Sequence, residues 1–563
     1  MEKNNTLQEE RIDTDVLVVG AGAGGLMAAI TAADYGARVT LCEKGNAMRS
    51  GGIYGGNDHI TCYIPGIHSP AVRERIKDRT LSRGFIDEDI VYKQIDLTCD
   101  VVKKWESWGI NMKTNGHYEF TGHSWPGSSG KMGEPGKTDR TLLHFSDKDS
   151  CVKLEKQVRD RGIRIMNRVM VHELLRDPLG HVVGAVGIGT REPKIYIFRA
   201  KSVVLNQGQV DQNRLYASPH VISFGMAIPG TGDGIIMAYR AGADVQNAEL
   251  CHRQTAQRFG PTYGRGTWIG VVRDTFGQPI APPYLSRPDA ETGDVSIENP
   301  DALDHVWATG KGPVWMDSRG ISEEDESYMK WGFQSEALEP LLRWFEQEKI
   351  DIKKTRFEFI PLQPRTRIQI RMDIDYKTSI EGLYAIYYGT LYMNSVGGLI
   401  AGESAAKNAQ GIDFSDMAIH NGKISNLKQW YEELLNREGM QFADWHEAQW
   451  AIGQTMHCYA LPPNRTEHTL MAGHNQLLRL KGKAYNILKA ANQHDLYHCL
   501  EVLNLMDIAE LVTLAVNERK ESRDQARRQD YPFTNPLLNK FMVITRKDGR
   551  PAFRWENPRR VSR

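Results

Sequence analysis

The chain is poor in cysteine, has no surplus charge of either sign, and shows neither a secretory-type amino terminus nor an unbroken apolar span. Each shortage removes a class of protein. Seven cysteines, at 42, 62, 99, 151, 251, 458 and 499 of 563 residues, are too sparse and irregular for a disulfide framework or a four-thiolate metal site, and they fit a reducing compartment. Lys and Arg number 70 and so do Asp and Glu, so no overall field draws in nucleic acid. The amino terminus, MEKNNTLQEERIDTD, lacks the basic-then-apolar order of a secretory signal, which makes the cytoplasm the expected compartment. The one long uncharged run, from Val16 to Ala33, carries glycines at 20, 22, 24 and 25. It therefore reads as strand, loop and helix rather than as a membrane span. No internal repeat or low-complexity tract is present, and the length implies roughly two to four domains.

What is there begins at Val16-Leu17-Val18-Val19, a branched apolar run typical of a strand covered on both faces. It flows into Gly20-Ala21-Gly22-Ala23-Gly24-Gly25, a GxGxxG fingerprint in the strand–turn–helix context that gives the motif meaning. Gly20 permits the tight turn, Gly22 lets the backbone approach a pyrophosphate, and Gly25 lets the helix lie against the strand. The helix amino terminus then offers unpaired amides and positive dipole to the phosphates. A second strand, Arg38 to Cys42, ends at Glu43, the expected distance on for a carboxylate that accepts from a ribose hydroxyl. The fingerprint serves nicotinamide and flavin dinucleotides alike.

The choice comes from the polar, glycine-rich segment after Glu43, which contains Arg49-Ser50-Gly51-Gly52. Here the chain resembles the fumarate reductase and succinate dehydrogenase flavoprotein superfamily, and within it the adenylylsulfate reductase alpha-subunit-like proteins, whose loop also reads Arg-Ser-Gly. The resemblance implies FAD, held by Gly20, Ala21, Gly22, Gly24, Gly25, Glu43, Lys44, Ser50, Gly51 and Gly52. Relatives that bind FAD covalently have a histidine where Gly51 stands, so the implied FAD is non-covalent. Further on, Val171 corresponds to a position that meets the adenine through its backbone. Asn206-Gln207-Gly208 stands in place of the family's Ala-Thr-Gly, keeping only Gly208. Gly232-Asp233-Gly234 matches the family's Gly-Asp-Gly helix start. Asn394-Ser395 precedes a helix, Ala401 to Ala406, that in relatives aims its positive end at the flavin pyrimidine edge. Relatives carry Gly-Glu or Gly-Asp before this helix, where this chain has Tyr387-Tyr388-Gly389.

The implied fold is α/β: a Rossmann-like FAD-binding domain with an α+β capping domain and a carboxy-terminal helical domain. The expected divisions are a polar tail over 1–14, FAD-binding segments over 15–220 and 378–414, a cap over 221–377, helices over 415–530 and a basic tail over 531–563. The Pro- and Gly-rich stretch from Gln278 to Asn299 reads as a long surface loop. In the superfamily the cap supplies cations that hold an anionic substrate at the flavin. Arg258, in Arg258-Phe-Gly-Pro-Thr-Tyr-Gly264, resembles a substrate-site arginine, and a guanidinium's planar fork suits carboxylate, sulfate or phosphate. The alternative for Arg258 is a surface salt bridge. His252 stands near a substrate-binding histidine of the family but lacks its Pro-Thr neighbours, and a hydrogen-bonded structural histidine is the alternative. Arg367, Gln369 and Arg371 alternate as on one face of a strand, where two guanidiniums would share an anion or pave a solvated surface.

His494 and His498 stand one helical turn apart, but no third ligand accompanies them, so no metal is expected. The last eighteen residues hold seven Arg or Lys and two acids. That tail has three open destinations: an acidic ferredoxin-like iron–sulfur partner, the neighbouring protomer of a homo-oligomer, or solvent. The expected activity is FAD-dependent, two-electron transfer to or from a small anionic substrate oriented by Arg258, with His252 and Arg371 as further candidates. Electrons would be exchanged with a separate iron–sulfur protein. A non-catalytic flavoprotein scaffold and a nicotinamide-dependent dehydrogenase are the alternatives.

Overall fold

A computed structural model of the chain describes residues 6–54, 59–81, 85–121, 140–145, 147, 149–206, 208–210, 212–216, 230–252, 255–258, 268, 270–280, 305–306, 309–335, 339–361, 365–387, 389–461, 465–523 and 526–561. Its centre is a seven-stranded sheet of β1 (Gln8–Val19), β2 (Val39–Glu43), β3 (Arg164–Asn167), β4 (Val169–Arg176), β5 (Val182–Gly189), β6 (Lys194–Leu205) and β7 (Leu383–Ala385). The order is β3-β2-β1-β6-β5-β4, and β7 pairs with β6. The strands β3, β2, β1, β6 and β7 run parallel; β5 is antiparallel to β6, and β4 is antiparallel to β5 and so runs with the rest. β5 pairs with the first part of β6, and β7 takes the place beside its last residues, Val203 to Leu205. In register, Val19 faces Cys42 on one side and Leu205 on the other, and Leu205 faces Ala385. Four carboxyl ends therefore stop at one level, the edge where open α/β sheets bind ligands.

Val16, Leu17 and Val18 are completely buried, as the apolar run predicts. Helix α1 (Ala23–Asp34) packs on them and crosses α3 (Leu391–Gln410), with α2 (Asp233–Arg240) between in the chain. The crossing is a near contact of backbones: a Cβ on Gly398 would lie 2.3 Å from Gly24 O, and one on Gly402 2.5 Å from Ala28 O. α3 begins at Leu391, ten residues before the stretch in which the sequence shows a helix, because Asn394, Ser395 and two glycines interrupt its pattern.

The cap contains a four-stranded sheet, Thr255–Gln257, Arg356–Pro361, Val314–Asp317 and Val271–Arg273, over its own aromatic core of Trp268, Phe333, Phe345, Phe357 and Phe359. The loop expected from Gln278 lies outside the described residues from 281 onward. Among the described residues four α-helices follow α3: Asn421–Asn436, Trp445–Thr455, Glu467–Ile487 and α4 (Gln493–Glu518). α4 is buried on nearly every side. Among the described residues no helix is long and apolar enough to cross a membrane.

Both expected tails are structured where described. Gln8 to Asp13 extend β1 and pair with Lys194 to Arg199 of β6. Their charges face complementary charges, Glu10 with Lys194 and Asp13 with Arg199, which a reading of one segment at a time misses. Likewise Phe541–Lys547 and Arg550–Glu556 form a hairpin that pairs with Val245–Gln246 of this same chain. The apolar Phe541 to Ile544 are fully buried, and the basic residues lie outward or pair with acids. The 365–371 segment is not one strand: Arg365–Thr366 pairs with Cys251–His252, and Gln369–Ile370 with Val245–Gln246 in another sheet.

Candidate functional site

The aligned carboxyl ends open into a cleft of about 240 Å³. Both α1 and α3 begin at it. The amino cap of α1 is Gly22 and that of α3 is Thr390, and neither end has a side-chain cap. Thr390 Oγ1 is buried without a partner. Uncapped first-turn amides and two positive dipole ends thus face one space, an arrangement that favours an anionic ligand.

Of the residues expected to hold a dinucleotide, Gly20, Gly22, Glu43, Lys44, Ser50, Gly51, Gly52, Val171, Gly208, Asp233, Gly389 and Asn394 line this cleft. The others stand behind its wall. The Ala21 N–H donates to Glu43 Oε2 at 2.8 Å. Gly24 packs against Asn394 O and Asn206, and Gly25 against Gly20 O. Ser395 turns its hydroxyl back to Leu391 O at 2.8 Å, within its own helix. Asn206, Arg49, Asn46 and Gln209 also line the cleft, although none of them is among the residues expected to hold the cofactor. A Cβ on Gly22 would meet Asn206 Nδ2 at 3.5 Å and one on Gly24 would meet Asn206 Oδ1 at 2.9 Å. The Asn206 amide therefore lies across the fingerprint. The departure from the family's Ala-Thr-Gly was the available signal.

Glu43 is a structural hub of the cleft. Besides Ala21 it accepts from Gly45 N at 2.8 Å and from Ser50 Oγ at 2.7 Å, tying the glycine turn to the Ser50 loop. Lys44 Nζ donates to Asp233 Oδ2 at 2.7 Å, Glu501 Oε1 at 2.6 Å and Thr231 Oγ1 at 3.1 Å. Burial alone would lower the Lys44 pKa, but the two carboxylates outweigh it and hold it above the ordinary lysine value. Lys44 is thus a cation compensated within the protein.

The three expected catalytic residues are not brought together at the cleft lining. Arg258 follows the cap strand Thr255–Gln257, its side chain 45% exposed, with Nη1 donating to Glu358 Oε1 at 2.6 Å. His252 lies opposite Arg365 in a two-stranded pair, and its side chain lies outside the described residues. Arg371 serves the architecture instead: it donates to Asp87 at 2.5 Å, approaches Glu556 at 3.3 Å and stacks over Phe541. It is drawn there because Asp87 is fully buried and needs a cation. Arg367 and Arg371 follow two different short strands, and Arg371 is committed to Asp87. His498 is likewise committed, with Nδ1 2.8 Å from Glu501 and its ring stacked on Trp445.

A flavin dinucleotide fits this donor set. The helix termini suit a diphosphate and an electron-rich ring edge, and Gly51 offers no side chain to carry a covalent bond. Gly51 has φ +71°, and a Cβ there would lie 3.0 Å from Gly22 Cα, so a histidine in this place would be strained as well as crowded. Comparison with known proteins agrees. Residues 15–266 match the FAD binding domain family, and residues 451–557 the fumarate reductase flavoprotein C-terminal family. The chain is 24% identical to one of the subunits of the fumarate reductase (CoM/CoB) of Methanothermobacter marburgensis, over 96% of this chain and 98% of that one. It is 24% identical to an L-aspartate oxidase of Yersinia pestis, over 92% and 96%. Its fold superposes on adenylylsulfate reductase of Archaeoglobus fulgidus with a TM-score of 0.81 at 21% identity, covering 99% and 97%. The glycine cleft at one end and the helical module at the other place this chain in the fumarate reductase and succinate dehydrogenase flavoprotein superfamily, as an FAD-dependent oxidoreductase.

Proposed function

We propose that the protein carries out two-electron transfer between non-covalent FAD and a small anionic substrate held by the cap, and exchanges electrons with a separate iron–sulfur protein. The observation that carries this reading is the pair of uncapped helix ends, α1 and α3, opening onto one cleft. When bound there, FAD supplies the redox chemistry. The protein's residues bind and orient: Glu43 fixes the glycine turn, and α3 places positive potential where electron density accumulates on reduction. The relatives' names point to small anions, fumarate and aspartate among them. A separate electron carrier is supported by the thiols, six of which are dispersed and buried while Cys458 stands exposed alone. One relative is itself named as part of a larger assembly.

Arg258 is the substrate-holding residue in this reading. Glu358 keeps its guanidinium on the cap sheet and leaves it 45% exposed. The chemically reduced holoprotein, mixed with unsaturated dicarboxylates and sulfur oxyanions, should be reoxidised by at least one, followed by flavin absorbance. Arg258→Met should slow that reoxidation by about 10²-fold, as loss of an anion-orienting donor does, with FAD content unchanged. Reoxidation of Arg258→Met at the wild-type rate would return Arg258 to the surface salt bridges. Failure of every acceptor with wild-type protein would favour a non-catalytic flavoprotein.

A further inference from the structure

The FAD-binding segments line the cleft, but the carboxy-terminal helix braces part of that wall from behind. α4 presents His498, Glu501, Asn504 and Asp507, at three-residue spacing, to the sheet domain. Glu501 is completely enclosed, yet both of its oxygens are engaged: Oε1 by Lys44, and Oε2 by Arg214 Nη2 at 2.9 Å and His498 Nδ1 at 2.8 Å. Asn504 Nδ2 donates to Asp233 Oδ1 at 2.8 Å, and that oxygen also accepts from Thr231 Oγ1 at 2.8 Å. Asn504 Oδ1 in turn accepts from Arg240 Nη1 at 2.8 Å, while Arg240 pairs with Asp507.

We infer that Glu501 is a positioning residue for FAD, acting through Lys44 and Asp233 across the domain boundary. Lys44 and Asp233 line the cleft, whereas Glu501 does not. All three ammonium hydrogens of Lys44 have acceptors within the protein, so Lys44 contributes to the cofactor by where its backbone is held. That backbone lies between Glu43, the hub of the glycine turn, and Gly45, whose N–H Glu43 also binds. Without Glu501, Lys44 retains Asp233 and Thr231 but swings toward them, dragging the 43–45 segment and shifting Asp233, which it still holds. Arg214, itself on the segment that follows the cleft residue Gly208, ties that segment to the same carboxylate, and Gln449 fixes its Nε at 2.7 Å. One buried carboxylate therefore sets three parts of the wall. The inference rests on the assignment of the cleft to FAD and is independent of the substrate.

The test is FAD titration of full-length apoprotein, read by quenching of flavin fluorescence, alongside the thermal midpoint of the apoprotein. Glu501→Gln should raise the Kd for FAD about tenfold, the equivalent of one lost charge-assisted hydrogen bond. Glu501→Asp keeps the charge that Arg214 and His498 need but withdraws from Lys44. It should fold like wild type and still bind FAD several-fold more weakly. Lys44→Met combined with Glu501→Gln should cost no more affinity than the worse single change, as expected of residues acting as one unit. The visible spectrum of the bound flavin should stay the same, since the brace acts away from the ring. A wild-type Kd in Glu501→Asp, with or without a lower thermal midpoint, would overturn the inference. Wild-type protein that takes up no FAD would instead remove the cofactor assignment itself.

Discussion

Replacing Gly25 with alanine is expected to yield protein that neither reaches wild-type stability nor retains FAD. A Cβ at this position would sit 1.8 Å from Gly20 O and 3.0 Å from Asn206 Nδ2. The first of these is a backbone carbonyl in the tightest part of the turn. Gly20 has φ +97°, and its N–H is held by Cys42 O at 2.8 Å, so the turn has little room to open. A methyl group has no rotamer to escape into, and the cost should exceed the roughly 1–3 kcal/mol usual for overpacking. Gly22→Ala makes the contrast. Its Cβ would meet nothing closer than Asn206 Nδ2 at 3.5 Å, so the apoprotein should fold normally. The added methyl would stand on the cleft floor and weaken FAD binding. Circular dichroism melting and the flavin-to-protein ratio separate the two: Gly25→Ala should lose both signals, Gly22→Ala only the second. A yellow Gly25→Ala protein melting with wild type would show that the close approach of α1 to the turn is dispensable.

The same glycines explain why this part of the fold was legible. A fingerprint works by steric exclusion between residues close in sequence, and local exclusion leaves a local trace. The strand before Gly20, the acid at Glu43 and the helix after Gly22 all stand within one βαβ unit, and their pattern survives without relatives. Three features left no such trace because each depends on partners hundreds of residues away. Gln8 to Asp13 look like a polar tail until Lys194 and Arg199 are set opposite them. Arg371 looks like one of two arginines on a strand face, yet Asp87 claims it from another element and the strand itself divides between two sheets. Lys44 reads as a cofactor-binding residue, and nothing near it in the chain shows that Glu501, from the last long helix, is its partner. Charged residues are the least legible class for this reason. Their side chains go to whichever buried counter-charge the topology delivers, and topology cannot be read from periodicity. Asn206 is a different kind of miss, since it departs from a family motif and so registered only as a lost match.

The basic carboxy-terminal segment shows how much stability can hang on one such long-range meeting. Arg519 ends α4 with its side chain only 1% exposed, sandwiched between Phe85 and Trp555 at 4.8 and 4.7 Å. It donates to Glu249 at 3.0 Å, to Glu521 at 2.6 Å and to Leu538 O and Lys540 O at 2.8 Å each. It thereby pins the hairpin and the helical domain to the sheet domain. Arg519→Met fills much of the volume but strands Glu249, which is fully buried and already has Oε2 without a partner. Removing one partner of a buried pair costs about 3–5 kcal/mol, enough to lower the thermal midpoint by many degrees at neutral pH. The pH dependence identifies the cause. Burial already raises the Glu249 pKa against the opposing pull of Arg519, and in the variant that pull is gone. A carboxyl whose folded pKa lies above its unfolded value gives stability that is present below the unfolded value, about 4.3, and is lost as pH rises through the folded one. Glu521 behaves oppositely in the wild type. Burial raises it, but the bonds from Arg523, Asn535 and Arg519 outweigh burial and hold it low, so its contribution fades as pH falls. Both effects shrink the gap between variant and wild type on acidification. Melting across pH should show that gap widest near neutrality and closing toward about pH 4, and Glu249→Gln added to Arg519→Met should recover much of the neutral-pH loss. A gap independent of pH would mean that Arg519 acts through its packing between Phe85 and Trp555 rather than through its charge.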